Sequence, residues 1–253
     1  IDRIVEIARR HGLFVIEDCA HSLFATYKGK QTGTWGDVGS FSFQMSKQLG
    51  LGDGGMGVTD DEQVRDELAL NAGAPTFHSV AHGLHWNYRM TEATAAIGLG
   101  QLERAGDYIA GLQHVAAYYD AAVADCDWIT LQRADDEAVH TFHFWAATFW
   151  GDREGLSLDD LRRALEEHEC NLSIGYTQMP AYKHPLIAER LGYGRGCPLD
   201  CPHYKGAANR YPEGLCPVAE DVIPRILLAY TFGDEDFHQH NAERLHAMLA
   251  SLS

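Results

Sequence analysis

An amphipathic helix followed at once by a continuous apolar strand is the feature that most limits the fold. Four apolar residues recur at helical spacing, Ile1, Ile4, Val5 and Ala8, and Gly12 is predicted to end the helix. The next segment, LFVIED (13–18), is short and apolar, as in a strand buried on both faces. Helix and buried strand in this order predict an α/β layer with a mainly parallel sheet.

The following elements extend this layer. Strands are predicted at VGSFSF (38–43) and MGVT (56–59), separated from the first strand by the turn-rich connector YKGKQTGTWGD (27–37). Asp60 is predicted to cap a helix that Gly73 ends. The chain begins within a helical pattern and without methionine, so we expect a preceding segment.

A change of rhythm after the middle of the chain predicts a second domain. A long helix is expected over 91–124, then strands at WITLQ (128–132) and TFHFWAATFW (141–150). Helices follow at 157–169, capped by Ser157, and at 234–252. We therefore predict a large sheet domain over 1–112 and a smaller α+β domain over 113–253, with the long helix between them.

The acidic balance of the chain excludes several partner classes. The 253 residues carry a formal net charge of −16, which opposes general binding to nucleic acid and to anionic membranes. The six cysteines are scattered through a long chain, which is typical of reduced thiols in a cytosolic protein. We expect a cytoplasmic protein.

The glycine-rich segment 50–55 matches a nucleotide motif whose context is wrong. Gly50, Gly52 and Gly55 fit G-x-G-x-x-G, but that fingerprint needs a helix at its third glycine. Here a predicted strand follows instead, so we interpret the glycines as a tight loop between strands. The loop follows Lys47, which by itself is typical of a solvated surface residue.

Two polar residues give this lysine a functional context. Asp18 ends the buried strand, where open α/β sheets place ligands, and Ser42 precedes Lys47 on the next predicted strand. A carboxylate, a hydroxyl and an amine at one sheet edge suit pyridoxal phosphate, in which a lysine binds the aldehyde and an acid pairs with the ring nitrogen. A simple strand-end cap is the alternative for Asp18.

The same stretch resembles a known family. FVIEDCAHS, YKGKQTGTWGDVGSFSFQMSKQLGLGDGGMGVTDDE, NYRMTEATAAIGLGQLER and CPVAED resemble, in order, segments of the DegT/DnrJ/StrS sugar and aminocyclitol aminotransferases. These are pyridoxal phosphate enzymes of fold type I. The resemblance therefore implies that fold, in which a mainly parallel large domain, incomplete here, is joined to a smaller α+β domain.

The resemblance also assigns residues. It implies that Lys47 binds the cofactor aldehyde, Asp18 the ring nitrogen, and Ser42 the phosphate. His21 matches a position that contacts the cofactor ring. Asn87 matches an asparagine that reaches the phosphate from the partner subunit, so the resemblance implies a homodimer with shared active sites. Two departures are Asp53, where the family usually has glutamate, and the absence of the family's N-terminal segment with its Gly-Thr phosphate turn.

The implied activity is transfer of an amino group from L-glutamate or L-glutamine to a keto-sugar or keto-cyclitol, in amino-sugar, aminocyclitol or antibiotic-precursor biosynthesis. FSFQ and CPVAED resemble the cyclitol branch and favour an unlinked ring. One alternative is a sugar dehydratase of the same family, although those enzymes carry histidine in place of the lysine. The other is a truncated relative that only dimerises or binds a ligand.

The remaining candidates have plain alternatives. Tyr176 and Tyr182 resemble a segment facing the substrate, but core or interface packing explains them equally well. His85, with His78 and His82, is either a substrate or partner contact or loop packing. For His140 and His143, which flank an aromatic strand, we predict structural roles.

One further cluster is a candidate metal site. A Cys₃His zinc set is conceivable for four residues, Cys197, Cys201, His203 and Cys216, but their spacing is not a standard pattern. We expect free thiols there and no metal.

Overall fold

The computed structural model describes residues 1–73, 87–194, 197, 203–205 and 211–252. The chain divides into two compact units. Unit 1 comprises Ile1–Tyr118, Arg133–His143 and Tyr230–His238; unit 2 comprises Tyr119–Gln132, Phe144–Ala229 and Gln239–Ser253. The first boundary between the units, after Tyr118, and the domain boundary predicted at 112/113 both lie in the helix Ala105–Ala122. The predicted boundary stays a prediction.

The helices are α1 (Asp2–Arg10), α2 (Glu62–Asn71), α3 (Glu92–Leu102), α4 (Ala105–Ala122), α5 (Leu158–Glu167), α6 (Pro185–Ala188), α7 (Pro217–Val222) and α8 (Glu235–Leu252). The strands are β1 (Ile16–Asp18), β2 (Thr26–Tyr27), β3 (Lys30–Gln31), β4 (Val38–Ser42), β5 (Gly55–Val58), β6 (Ile129–Leu131), β7 (Ala138–Val139), β8 (Phe144–Phe149), β9 (Ser173–Ile174) and β10 (Ile226–Tyr230). No helix among the described residues is both long enough and apolar enough to span a bilayer.

The main sheet of unit 1 has the order β1-β4-β5. The parallel pairing predicted for this layer is present between β1 and β4, with Asp18 opposite Ser40. The β4–β5 pair is antiparallel, because the glycine loop joins the two strands as a hairpin. The glycine loop therefore leads from strand to strand, as predicted, and α2 begins only at Glu62.

The connector between β1 and β4 contains structure that the sequence did not predict. A hairpin, β2 with β3, pairs Tyr27 with Lys30, and β7 adds to β2 from elsewhere in the chain. Lys28 and Gly29 at the turn have φ of 52° and 71°. Two positive φ values are typical of a type I′ turn, whose twist matches that of short antiparallel strands.

Two helix predictions differ in detail from the structure. Asp61, not Asp60, caps α2, since its carboxylate accepts the N–H groups of Gln63 and Val64. The single helix predicted over 91–124 is two helices, α3 and α4, with a break after Leu102. α4 has its own buried stripe at helical spacing: Ala105, Ile109, Leu112 and Ala116.

Unit 2 contains a sheet of order β6-β8-β10-β9, which packs its own core. Side chains of β8 alternate in burial, with Trp145 and Phe149 each 1 % exposed. Helix α5 begins with the predicted Ser157 cap, a capping box with Asp160. The helix and strands predicted here are therefore confirmed, although β8 starts three residues later than the apolar pattern.

Candidate active site

The pleat of β1 places two adjacent carboxylates on opposite faces of the sheet. Glu17 is buried, and its two oxygens accept backbone N–H groups of Gly33, Trp35 and Gly36 at 2.7–2.8 Å. Asp18 is exposed on the other face. The connector thus covers one face of the strand end, and the carboxylate of Asp18 is available on the other.

Asp18 and Ser42 lie on the same face of neighbouring parallel strands. Asp18 is level with Ser40, and Ser42 follows two residues later, on the same side of the pleat. The N–H of Ala20 donates to Asp18 Oδ1 at 3.0 Å, so the carboxylate also caps its strand end. The strand-end cap proposed as the alternative for Asp18 is therefore present, and its role toward a cofactor ring stays a prediction.

Lys47 contacts His21 directly. Its Nζ lies 2.6 Å from Nε2 of the imidazole, with Lys47 half-buried and His21 exposed. The loop between β4 and β5 (43–54), which contains Lys47, Gly50 and Gly52, is called the lysine loop from here on. It is tight, because the N–H of Met45 donates to the carbonyl of Gly52 at 2.7 Å. A Cβ on Gly50 would lie 2.6 Å from the carbonyl oxygen of Met45, so only glycine fits there.

The electrostatics of the site favour neutral imidazoles. Burial lowers the pKa of His21, and the nearby charge of Lys47 lowers it further, while Asp18 acts in the opposite direction. His143 stacks on His21, with ring centroids 4.1 Å apart. Burial, with His21 and Lys47 as further causes, lowers the pKa of His143 to about 4. A neutral His21 can accept an N–H of Lys47 through Nε2.

A buried glutamine joins the lysine loop to two other segments. Gln48 is 5 % exposed, and its Oε1 accepts the N–H of Leu23 at 3.2 Å. Its Nε2 donates to the carbonyl oxygen and to Oγ1 of Thr141, at 2.8 and 2.9 Å. The residue after Lys47 is therefore held to the turn that carries His21 and to the segment that carries His143.

A cavity of about 730 Å³ within unit 1 opens beside the lysine. Its lining includes Lys47, Phe24, Arg104, Asp107 and Tyr108. Pockets of this size hold small ligands and cofactors in other proteins. Lys47 lines this cavity, whereas Asp18, His21 and Ser42 do not. The amine of Lys47, the carboxylate of Asp18 and the hydroxyl of Ser42 are the types of group that pyridoxal phosphate requires. The residues present fit this cofactor.

The other predicted site residues lie elsewhere in the described chain. Asn87 is exposed in unit 1, and its Oδ1 accepts the backbone N–H and Nε of Arg89 at 3.3 and 3.0 Å. Tyr176 and Tyr182 belong to unit 2; Tyr176 packs edge-on against Phe144. Tyr182 is buried, and its hydroxyl donates to Glu220. Their predicted roles toward phosphate and substrate stay predictions.

His85, His78 and His82 lie outside the described residues, as does Cys201 of the zinc alternative. Cys216 is an exposed free thiol. In the described part of the chain, no group of three histidine, cysteine or acidic residues is arranged to hold a metal ion.

Three residues of the site were not found from the sequence. Glu17 and Gln48 are polar side chains whose partners are backbone groups of distant segments. His143 was predicted to be structural, and the structure places its ring against His21. A local pattern carries no record of such contacts, because the partners meet only in the folded chain.

Comparison with known proteins identifies the family. A family model described as the DegT/DnrJ/EryC1/StrS aminotransferase family matches residues 1–211. GDP-perosamine synthase of Escherichia coli O157:H7 is 34% identical over 231 residues, covering 85% of this chain and 60% of that protein. A putative L-glutamine:3-amino-2,3-dideoxy-scyllo-inosose aminotransferase of Streptomyces kanamyceticus is 31% identical over 230 residues, 88% of this chain and 52% of that one.

The fold is shared with solved structures. DesV of S. venezuelae superposes with a TM-score of 0.78 at 24% sequence identity, covering 99% of this chain and 61% of that one. The chain thus spans between half and two thirds of the length of these three proteins. The lysine, acid and serine at the strand ends lie within the matched region, and the resemblance drawn from their motifs is confirmed: this chain belongs to the DegT/DnrJ/EryC1/StrS aminotransferase family.

Proposed function

We propose that the protein is a pyridoxal phosphate-dependent aminotransferase that moves an amino group from L-glutamate or L-glutamine to a keto group on a sugar or cyclitol. The contact between Lys47 Nζ and His21 Nε2, beside the carboxylate of Asp18, carries this proposal. An amine with a neutral hydrogen-bond acceptor at a sheet edge is set up for covalent and proton-transfer chemistry.

When bound, pyridoxal phosphate supplies an electron sink for cleavage of the Cα–H bond of an amino acid. Asp18, held by the N–H of Ala20, would pair with the ring nitrogen and keep a proton on it. Ser42 would donate a hydrogen bond to the phosphate. His21 would contact the cofactor ring, and its Nε2 lies 2.6 Å from Lys47 Nζ.

Lys47 has two tasks in this scheme. Its amine would hold the cofactor through the aldehyde carbon, and the same amine would be the group that removes and returns the substrate proton. The gap of 2.6 Å to His21 gives the departing ammonium proton an acceptor within hydrogen-bond distance. Donor and acceptor react in turn at the same site, which gives ping-pong kinetics.

The names of the relatives support the substrate class. One is named as a GDP-perosamine synthase and another as a putative L-glutamine:3-amino-2,3-dideoxy-scyllo-inosose aminotransferase, and these names favour a sugar or cyclitol as the acceptor here. The motifs FSFQ and CPVAED favour the cyclitol type. The place of the activity is amino-sugar, aminocyclitol or antibiotic-precursor biosynthesis, in the cytoplasm. A homodimer in which Asn87 of one protomer completes the phosphate site of the other is part of the proposal.

Cofactor titration tests the proposal. The 253-residue chain is mixed with pyridoxal phosphate and its visible absorbance is followed, for wild type and for Lys47→Ala. We expect a protein-bound band that the substitution removes, while Lys30→Ala, an exposed lysine in β3, leaves it intact. The half-reaction with glutamate and with glutamine then identifies the donor. Absence of a band at saturating cofactor would refute cofactor binding by this chain.

The two alternatives predict different outcomes. A dehydratase would leave no donor nitrogen in its sugar product, so transfer of nitrogen from glutamate or glutamine into the sugar or cyclitol excludes it. A non-catalytic relative would show no half-reaction with either donor, even where the cofactor binds. Lys47 itself favours the aminotransferase over the dehydratase.

A further inference from the structure

We propose that His143 is a positioning residue for this site: its ring covers one face of the His21 imidazole and so determines which face can receive a planar cofactor ring. The proposal rests on the proposed function. The two rings are stacked, with centroids 4.1 Å apart and planes inclined by 28°. His143 is 4 % exposed, whereas His21 is exposed. One imidazole is therefore part of the core, and the other lies over it.

The segment that carries His143 is anchored on both sides of the stack. Thr141 receives two hydrogen bonds from the amide of Gln48, and the carbonyl of Phe142 accepts the hydroxyl of Thr231. Strand β8 begins at the next residue, Phe144. A side chain with so little room to move is a fixed support, so His143 positions His21 and not the reverse.

His21 itself lies in the turn after β1. The N–H of Leu23, two residues later, is held by Gln48, but the imidazole extends to the surface. Without a flat neighbour, an exposed histidine side chain samples several rotamers. Stacking on a buried ring selects one orientation and directs Nε2 toward Lys47, at 2.6 Å.

His143 must be neutral to support the His21 ring, because Lys47 already places a positive charge next to that ring. The titratable groups that face His21 are the ammonium of Lys47, the carboxylate of Asp18 and the ring of His143. A protonated His143 would place a second cation beside Lys47 and would disfavour the stack. Burial keeps His143 neutral, so the stack persists over the range in which enzymes of this class would operate.

The consequence concerns the cofactor ring. With one face of His21 covered by His143, the face opposite is the one on which a planar ligand can lie. His143 thereby acts on a bound ring through His21, without touching it. A second ring beneath the first also limits how far the first can retreat when a ligand presses on it.

Three variants separate positioning from packing. His143→Phe keeps a flat ring in the core, and His143→Leu keeps apolar volume without a flat face. His140→Asn is the matched control: it alters a histidine in the same segment but retains an acceptor for the N–H of Phe142, which His140 Nδ1 accepts at 3.0 Å. Circular dichroism and thermal unfolding report whether each variant is folded.

Two measurements are made on the folded variants. The first follows the ring nitrogens of His21 by NMR across a pH titration without cofactor, with His21→Gln providing the assignment. The second measures the dissociation constant for pyridoxal phosphate. In His143→Leu we expect the titration of His21 to move up toward that of free histidine, because the partial burial of its ring against His143 is lost. We also expect cofactor binding to weaken about threefold to tenfold. His143→Phe and His140→Asn should retain wild-type behaviour.

The outcomes separate this proposal from the proposed function. Wild-type titration of His21 together with wild-type cofactor affinity in His143→Leu overturns the positioning role. So does a loss in His143→Phe that equals the loss in His143→Leu. If the wild-type chain binds no cofactor, the proposed function fails, and the role of His143 is judged on the titration of His21 alone: a shift in the leucine but not the phenylalanine variant supports it, and no shift overturns it.

Discussion

Replacing Gln48 by leucine tests whether the lysine loop is held by one buried side chain. Gln48 bonds to the N–H of Leu23, at 3.2 Å, and to the carbonyl and hydroxyl oxygens of Thr141, at 2.8 and 2.9 Å. Leucine has a similar volume and no polar atoms. The substitution therefore removes all three bonds while it keeps the site filled.

The expected cost follows from the groups left behind. The N–H of Leu23 and the carbonyl of Thr141 each lose a partner, at about 2 kcal/mol per buried unsatisfied group. The hydroxyl of Thr141 rotates and costs less. Burial of the leucine side chain offsets about 2 kcal/mol of this. We expect the free energy of unfolding to fall by about 2 kcal/mol, measured by urea denaturation without cofactor.

Two controls sharpen the measurement. Thr141→Val removes the hydroxyl bond alone and should cost about 1 kcal/mol. Gln63→Leu, on the exposed face of α2, should change stability by less than about 0.5 kcal/mol. The double variant of Gln48 and Thr141 should cost less than the sum of the two single variants, because they share a bond. If Gln48→Leu lowers the free energy of unfolding no more than Gln63→Leu does, the hydrogen bonds of Gln48 do not hold the lysine loop.

Other substitutions test the remaining contacts. Glu17→Gln places an amide N–H against one of three backbone donors and should lower the free energy of unfolding by about 2 kcal/mol in the same urea assay. Gly50→Ala forces Cβ against the carbonyl of Met45 and should weaken cofactor binding, whereas Gly106→Ala, with nothing within 4 Å in α4, should stabilise the chain by about 0.5–1 kcal/mol. The fold lowers the pKa of His143 to about 4, whereas the same imidazole in the unfolded chain has a pKa near 6.5. The contribution of His143 to the free energy of unfolding is therefore complete above pH 6.5 and falls below it, by about 2 kcal/mol at pH 5. This loss should be absent in His143→Phe.

Much of the local structure could be predicted because it depends on residues that are close together in the sequence. The Ser157 cap depends on residues within one turn and is confirmed. The apolar run before Asp18 does form a strand, but only over Ile16–Asp18. Ile16 is 66 % exposed, so the prediction of a strand buried on both faces was wrong. The break between α3 and α4 could not be predicted, since neither Glu103 nor Arg104 is a helix breaker. The two-residue strands β2 and β3 are too short to leave a periodic pattern, although the turn between them was found.

The sequence by itself determined which chemistry the chain carries. A lysine after a β-strand, an acid at the end of another and a family motif around both are properties of the linear order. Tertiary structure alone decided how these groups are held. Gln48 meets Thr141 across 93 residues of chain, and the ring of His143 stacks on that of His21 although the two residues are far apart in sequence. Hydrogen bonds and ring stacking act over a few ångströms, so the residues that position Lys47 are set by the fold and not by their neighbours in sequence.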